Sequence, residues 1–326
     1  MDIYTGRKLL FHFLSPQDRR FWHEEGYLHL KQALSPEEVN QILSNVDQTI
    51  TRHVAVSPWL QDTETLSNFG KSSFRILNAI EKTRTIDNLI DHPKVFPIIL
   101  DLMGPYIQVM GTEIFVRHPN KNFIAKFHTD CGPSMQNIFP IPGNTLLQCK
   151  VIFFLTDTSS QNSANFCLFP KSHLRKSSKT LPNCLIPEAN DYVEKGIFPP
   201  EAIQLLAKPG DAIIFPWSLW HGVAPNLTSL IRRTIVLRYG QLWLRPRDYV
   251  KLSPKILKRF TLRQQRLFGD FGHAQHIGKQ HDYIPNDYYH PSNQIDIILG
   301  KKTSENSSLE DECFHKDGEI TPLSQL

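Results

Sequence analysis

Residues 210–237 read GDAIIFPWSLWHGVAPNLTSLIRRTIVL, and the fold is read outward from this stretch. Gly210-Asp211 is a turn feeding an apolar strand, Ala212-Ile213-Ile214-Phe215. Trp220-His221-Gly222 follows at short range, and Ile231-Arg232-Arg233-Thr234-Ile235-Val236-Leu237 reads as a buried strand. His221 is thus placed at a strand end. A lone histidine in that position is more often a satisfied half-buried imidazole than a ligand. The arginines say more. A guanidinium inside a sheet needs an anionic partner, because an unpaired buried charge is costly, and its planar fork grips a carboxylate with two parallel hydrogen bonds. Arg233 shares a face with Ile235, Leu237 and Tyr239, whereas Arg232 shares one with Thr234, Val236 and Arg238. In a barrel that holds a ligand the inner face can be the polar one. We therefore read Arg232 and Thr234 as turned toward one carboxylate, with Arg233 as the alternative.

The same signals extend upstream. Ile107 to Arg117, Phe123 to Asp130, Thr145 to Asp157 and Asn165 to Phe169 are short and rich in β-branched and aromatic residues, and Gly, Pro or Asn turns separate them. Together they predict an antiparallel sandwich or small barrel. Helices flank it. Ser15-Pro16 and Ser35-Pro36 each set a capping hydroxyl before a proline, Ser35 and Glu38 make a capping box, and a further helical stretch near Ile86 to Met103 is broken by Pro93 and Pro97. Ser253-Pro254 repeats the start signal before a basic segment with Lys255, Lys258, Arg259, Arg263 and Arg266. That segment is read as a solvated surface helix packing Ile256, Leu257, Phe260 and Leu267, in preference to a nucleic-acid contact.

Phe127-His128-Thr129-Asp130 ends one of these strands. Residues two apart on a strand point to one face, so a single metal could touch His128 and Asp130. Two imidazoles and a carboxylate form the facial triad that suits iron(II) and leaves positions open for substrates, and His221 is the candidate third ligand. The pair alone is weak evidence, since with 14 histidines about one H-x-D tripeptide is expected by chance.

Composition excludes little but points consistently. With 326 residues, 40% of them apolar, the chain can bury a sizeable core, and a net charge of +4 gives no ground for a nucleic-acid or anionic-membrane partner. Five scattered cysteines without a C-x-x-C pair suggest neither a disulfide framework nor a thiolate zinc site, so a cytoplasmic location is expected. The longest apolar run near the start is too short to insert in a bilayer, and no stable membrane insertion is expected.

These residues resemble the phytanoyl-CoA dioxygenase family of iron(II)- and 2-oxoglutarate-dependent oxygenases. The resemblance covers roughly residues 15 to 240. It rests on Phe21-Trp22-His23-Glu24-Glu25-Gly26-Tyr27-Leu28 with Leu34-Ser35-Pro36-Glu37-Glu38-Val39, and on His128-Thr129-Asp130. It rests further on Phe166-Cys167-Leu168-Phe169-Pro170-Lys171-Ser172-His173, and on Gly210-Asp211 with His221-Gly222, Asn226 and Arg232. Lys171 stands where the family usually has Gly, and Ala125 and Lys126 precede the metal histidine where many members carry a polar substrate-side or co-substrate residue, so the resemblance names no second anchor for 2-oxoglutarate there. The resemblance implies a mainly β fold with flanking helices, a double-stranded β-helix (jelly roll, cupin-like). It also implies an iron(II) site at His128, Asp130 and His221, and 2-oxoglutarate bound through Arg232 and Thr234, with dioxygen as second co-substrate. Oxidative decarboxylation to succinate and carbon dioxide would drive hydroxylation of a small-molecule or lipid-type substrate, because the Asp130 carboxylate fills the place that halogenating relatives leave to a halide.

The expected organisation is one oxygenase domain over residues 1–300, with a helical extension from about 250 and a polar tail over 301–326. Two other classes fit the same residues. A catalytically silent barrel that keeps the metal site would consume no 2-oxoglutarate, and a cupin-type metalloenzyme not using 2-oxoglutarate would tolerate Arg232→Ala.

Overall fold

The computed structural model describes residues 13–56, 73–123, 125–130, 146–175, 185–270 and 298–300. These residues fall into two compact units that divide between Val250 and Lys251. The expected tail over 301–326 lies outside the described residues, as do Cys131, Cys184 and Cys313.

The larger unit begins with two helices whose ends follow from local chemistry. Ser15 Oγ accepts from the Asp18 backbone N–H at 3.1 Å to start the helix Pro16–Glu25. The helix stops at Gly26, whose φ of +84° a side chain would resist, and a Cβ there would also lie 2.2 Å from His173 Nδ1. The helix Pro36–Ala55 opens with a complete capping box, Ser35 accepting from Glu38 N–H at 3.2 Å while the Glu38 carboxylate accepts from Ser35 N–H at 2.7 Å. The stretch near Ile86 to Met103 divides at its prolines into a 3-10 helix Arg84–Leu89 and a helix Phe96–Met103 that carries Pro97 in its first turn.

Ten strands follow in chain order among the described residues: β1 (Leu28–Leu30), β2 (Ser73–Leu77), β3 (Ile107–Arg117), β4 (Ala125–His128), β5 (Gln148–Phe154), β6 (Phe166–Leu168), β7 (Ile203–Leu205), β8 (Ala212–Pro216), β9 (His221–Val223) and β10 (Arg232–Gln241). They form a larger sheet in the order β1-β8-β5-β10-β3-β2 and a smaller one in the order β4-β9-β6-β7, every pair antiparallel. The two sheets face each other across a shared core. Ile152, Phe154, Ile213, Phe215 and Val236 of the larger sheet pack with Phe166, Leu168 and Leu205 of the smaller, and the Phe166 and Phe215 rings approach to 4.7 Å. This is the double-stranded β-helix.

Three strands escape the sequence pattern, β2, β7 and β9.

The smaller unit holds the helices Pro254–Leu257 and Leu262–Leu267. The single basic helix expected from Ser253 is thus two, because Thr261 and Gln264 form a capping box that starts the second. Arg266, expected to be solvated, is buried.

Candidate active site

His128 ends β4 and His221 opens β9, and the two residues are direct register partners on adjacent antiparallel strands. That pairing brings their rings to 4.4 Å between centroids. Asp130 lies two residues beyond His128, anchored where its backbone N–H donates to Trp217 O at 2.9 Å. The donor atoms of His128, Asp130 and His221 all lie within 4.8 Å of one another.

The hydrogen bonds around this trio settle which atoms face inward. His128 Nδ1 lies 2.8 Å from Lys126 O, and His221 Nδ1 lies 2.9 Å from Leu219 O. A carbonyl oxygen can only accept, so each Nδ1 carries the proton and each Nε2 presents a lone pair. One oxygen of Asp130 accepts from Lys150 Nζ, while the other, Oδ2, is buried, has no hydrogen-bond partner and lies 3.6 Å from His221 Nε2. An orphaned carboxylate oxygen beside two imidazole lone pairs is costly unless a cation meets all three. Two histidines and a carboxylate are the donor set of a facial triad that leaves positions open, so the residues present fit a mononuclear iron(II) ion.

The charges of the trio suit that role. Burial holds the His221 imidazole down at about 3 despite the pull of Asp130, so it is neutral at physiological pH and binds a cation without first losing a proton. Burial works against ionisation of Asp130, but the charges of Lys150 and Arg238 outweigh it and keep the carboxyl below its usual range.

A cavity of about 380 Å³ opens beside the trio, lined by the inner faces of both sheets. Arg232 and Thr234 stand in its wall, both buried. Arg232 donates one hydrogen bond, from Nη1 to Ala164 O at 2.7 Å, whereas its Nε and the Thr234 hydroxyl have no partner. Burial first, then the nearby charge of Arg117, lowers the Arg232 guanidinium to about 9, which leaves it charged at neutral pH. Arg233 points the other way, its Nε 2.5 Å from Asp47 Oδ1.

Six further charged residues line the same wall and were given no role in the site by the sequence reading: Arg75, Glu113, Arg117, Lys150, Arg238 and Arg247. A signal for two of them existed. Lys150 sits inside the apolar run of β5 and Arg238 on the Arg232 face of β10, each a cation in a strand that reads as buried. Asn226 turns out to be a loop clamp. It is buried, and its side-chain amide donates to Arg117 O and Leu230 O while its Oδ1 accepts from Thr228. His173 likewise ties a turn to the N-terminal helix, through His23 O at 3.1 Å.

Fold and site together define a class, the double-stranded β-helix oxygenases with a two-histidine, one-carboxylate metal centre. The sequence profile of the phytanoyl-CoA dioxygenase (PhyH) family matches residues 22–234. The chain belongs to this family, whose members are iron(II)- and 2-oxoglutarate-dependent dioxygenases. Among curated proteins it is 21% identical to "Dioxygenase trt7" of Aspergillus terreus, over 78% of this chain and 83% of that protein. It is 24% identical to a "Probable alpha-ketoglutarate-dependent hypophosphite dioxygenase" of Stutzerimonas stutzeri, over 69% and 78% respectively. Among solved structures, HygX from Streptomyces hygroscopicus, crystallised with nickel, 2-oxoglutarate and hygromycin B, shares the fold at a TM-score of 0.55 and 15% identity, over 74% of this chain and 94% of HygX. Among the described residues no helix is long and apolar enough to cross a membrane.

Proposed function

We propose that this dioxygenase holds iron(II) through His128 Nε2, His221 Nε2 and Asp130 Oδ2, binds 2-oxoglutarate with Arg232 and Thr234, and hydroxylates a small-molecule or lipid-type substrate. The observation that carries the reading is a set of orphaned atoms in one cavity: Asp130 Oδ2 beside the imidazole lone pairs, and Arg232 Nε with Thr234 Oγ1 farther along the wall. When bound, the iron supplies the activation of dioxygen by decarboxylation of the keto acid to succinate and carbon dioxide.

The chain's own residues do the rest. The carbonyls of Lys126 and Leu219 hold both imidazoles in the ligating tautomer. Lys150 holds the second oxygen of Asp130, which leaves that carboxylate one oxygen for the metal. Arg232 and Thr234 offer fork and hydroxyl donors to the far carboxylate of 2-oxoglutarate and so orient its keto-acid end toward the trio. Phe166, Phe215 and Val223 form apolar walls that keep water from the reacting centre. Residues 1–300 are, on this reading, one oxygenase domain with an extension from about 250, and the two buried free thiols, Cys149 and Cys167, are in keeping with a cytoplasmic enzyme.

The test is succinate formation from 2-oxoglutarate with iron(II) and a substrate panel, comparing wild type with His128→Ala and Asp130→Ala. Both variants should be inactive. Succinate formation surviving in both would sink the triad assignment.

A further inference from the structure

The cavity carries more positive charge than iron and 2-oxoglutarate require. Arg75, Arg117, Lys150, Arg232, Arg238 and Arg247 line it, against Glu113 and Asp130. That is a surplus of four positive charges, and a divalent cation with a dianionic co-substrate leaves it unchanged. Like charges gathered in one cavity repel, so an anionic occupant relieves an arrangement of this kind.

The charge is divided between two places. Arg232, the cation the co-substrate reading uses, is the register partner of Arg117 across β10 and β3. Arg238 is six residues farther along β10, about 20 Å at 3.4 Å per residue. There it is the register partner of Lys150 on β5 and sits beside a slip in register that leaves Met110 of β3 without a counterpart on β10. Bulges of this kind re-aim a side chain next to a site.

The second place is only partly neutralised from within. Arg238 is buried and its Nε has no hydrogen-bond partner. The one carboxylate within 4 Å of its guanidinium among the described residues is Glu113, at 3.7 Å, and Glu113 is shared with Arg75 at 3.5 Å. Both separations exceed hydrogen-bond length, so most donors of the two guanidinium groups remain available. Lys150 has Asp130, the carboxylate whose other oxygen faces the proposed metal. Arg247, exposed, adds a further cation to the lining.

We infer that the prime substrate is itself an anion, bearing a carboxylate, phosphate or sulfonate that docks on Arg238, Lys150 and Arg247 while 2-oxoglutarate occupies the Arg232 end. The inference rests on the assignment of Arg232 to 2-oxoglutarate. It narrows the substrate to organic acids whose oxidised carbon lies within reach of the metal trio when the acid group is held at Arg238. Neutral solutes and unesterified sterol-like lipids fall outside that class.

The test uses the full chain loaded with redox-silent nickel(II) and saturating 2-oxoglutarate, and two isosteric probes, benzenesulfonate and methyl phenyl sulfone. A sulfonate is a poor metal ligand, so its binding reports the cations. Calorimetry should show saturable binding of the sulfonate, preferred over the neutral sulfone by about tenfold or more, the value of one charge-assisted contact. Arg247→Ala, an exposed change that leaves the core intact, should weaken the sulfonate by about threefold, and Arg238→Gln by about tenfold or more, with 2-oxoglutarate affinity unchanged in both. Equal binding of the two probes, or displacement of the sulfonate by excess 2-oxoglutarate, would overturn the inference alone. Loss of 2-oxoglutarate affinity in Arg238→Gln matching that of the sulfonate would hand this end of the cavity to the co-substrate. Failure of the wild-type nickel form to bind 2-oxoglutarate at all would instead remove the co-substrate assignment, and the inference with it.

Discussion

Arg232 and Thr234 make a two-part anchor in which shape matters more than charge. Lysine at 232 would keep the cation and lose the planar fork. Arg232→Lys is therefore expected to raise the KM for 2-oxoglutarate by about tenfold, the equivalent of one charge-assisted hydrogen bond, with a smaller effect on kcat. Succinate formation against 2-oxoglutarate concentration measures it, and an unchanged KM would place the co-substrate elsewhere. Thr234→Val keeps the shape and removes the hydroxyl, for an expected rise of about fivefold in the same constant, from about 1 kcal/mol. At this level much was readable in advance. Alternation put Arg232 and Arg233 on opposite faces without saying which face is inner, and Arg232 was preferred because Thr234 and Arg238 make its face the polar one. The partners of Lys150 were not readable: nothing local to β5 says that a carboxylate twenty positions earlier will sit beside its ammonium group.

Gly210 and Asp211 show how one turn positions a strand. Gly210 has φ +93°, and a Cβ there would lie 2.7 Å from Leu34 O, whose own N–H donates to Gly210 O at 2.9 Å. Asp211 is buried and accepts from the backbone N–H groups of Gln32 and Lys208, with Lys31 Nζ and His29 Nε2 at 3.1 and 3.0 Å. The turn thus staples the N-terminal strand β1 to β8. Gly210→Ala should destabilise the unit by about 1–3 kcal/mol through strain and the clash. Asp211→Asn should cost a further distinct amount, about 2 kcal/mol at neutral pH, because it removes the charge from four contacts. Burial pushes the Asp211 carboxyl up, but those donors outweigh it and leave it below the ordinary value. A lowered folded-state value gives stability that is present above the unfolded carboxyl's pKa of about 3.9 and is lost as the pH falls through the folded one. The difference in urea midpoint between wild type and Asp211→Asn should therefore narrow on acidification below about pH 4. A difference that stays constant through that range would show that the charge is not what matters. The Gly-Asp pair could be seen as a turn in the sequence, but its grip on residues 29–34 is a long-range contact.

For the whole molecule, the metal trio joins chain segments that are far apart, so occupancy should stabilise the fold. Binding that is specific to the folded state contributes about 2.7 kcal/mol at a ligand concentration of about one hundred times Kd. Iron(II) or nickel(II) with 2-oxoglutarate should raise Tm by several degrees in calorimetry. A chelator should reverse the rise, and His128→Ala should abolish it while the apo protein stays folded. A rise of equal size in His128→Ala and Asp130→Ala would put the bound metal at another site.

The division between what is local and what is global follows from the range of the forces involved. Strand periodicity, capping hydroxyls, prolines and glycines act over a few residues, so the sequence by itself determined the helix starts and the long strands, and left Arg232 and Arg233 as the two candidates for the inner face. Membership of the oxygenase family was also legible, because its marks are ordered along the chain. The convergence of His128, Asp130 and His221 needed the register of β4 on β9, which no segment contains alone. The short strands β2, β7 and β9 exist because neighbours supply their hydrogen bonds, and the second cation cluster exists because β5, β10 and β3 bring Lys150, Arg238 and Glu113 to one wall. Charge inside a cavity is a property of packing, since only tertiary structure decides which polar groups lose water together and what they must bind in its place.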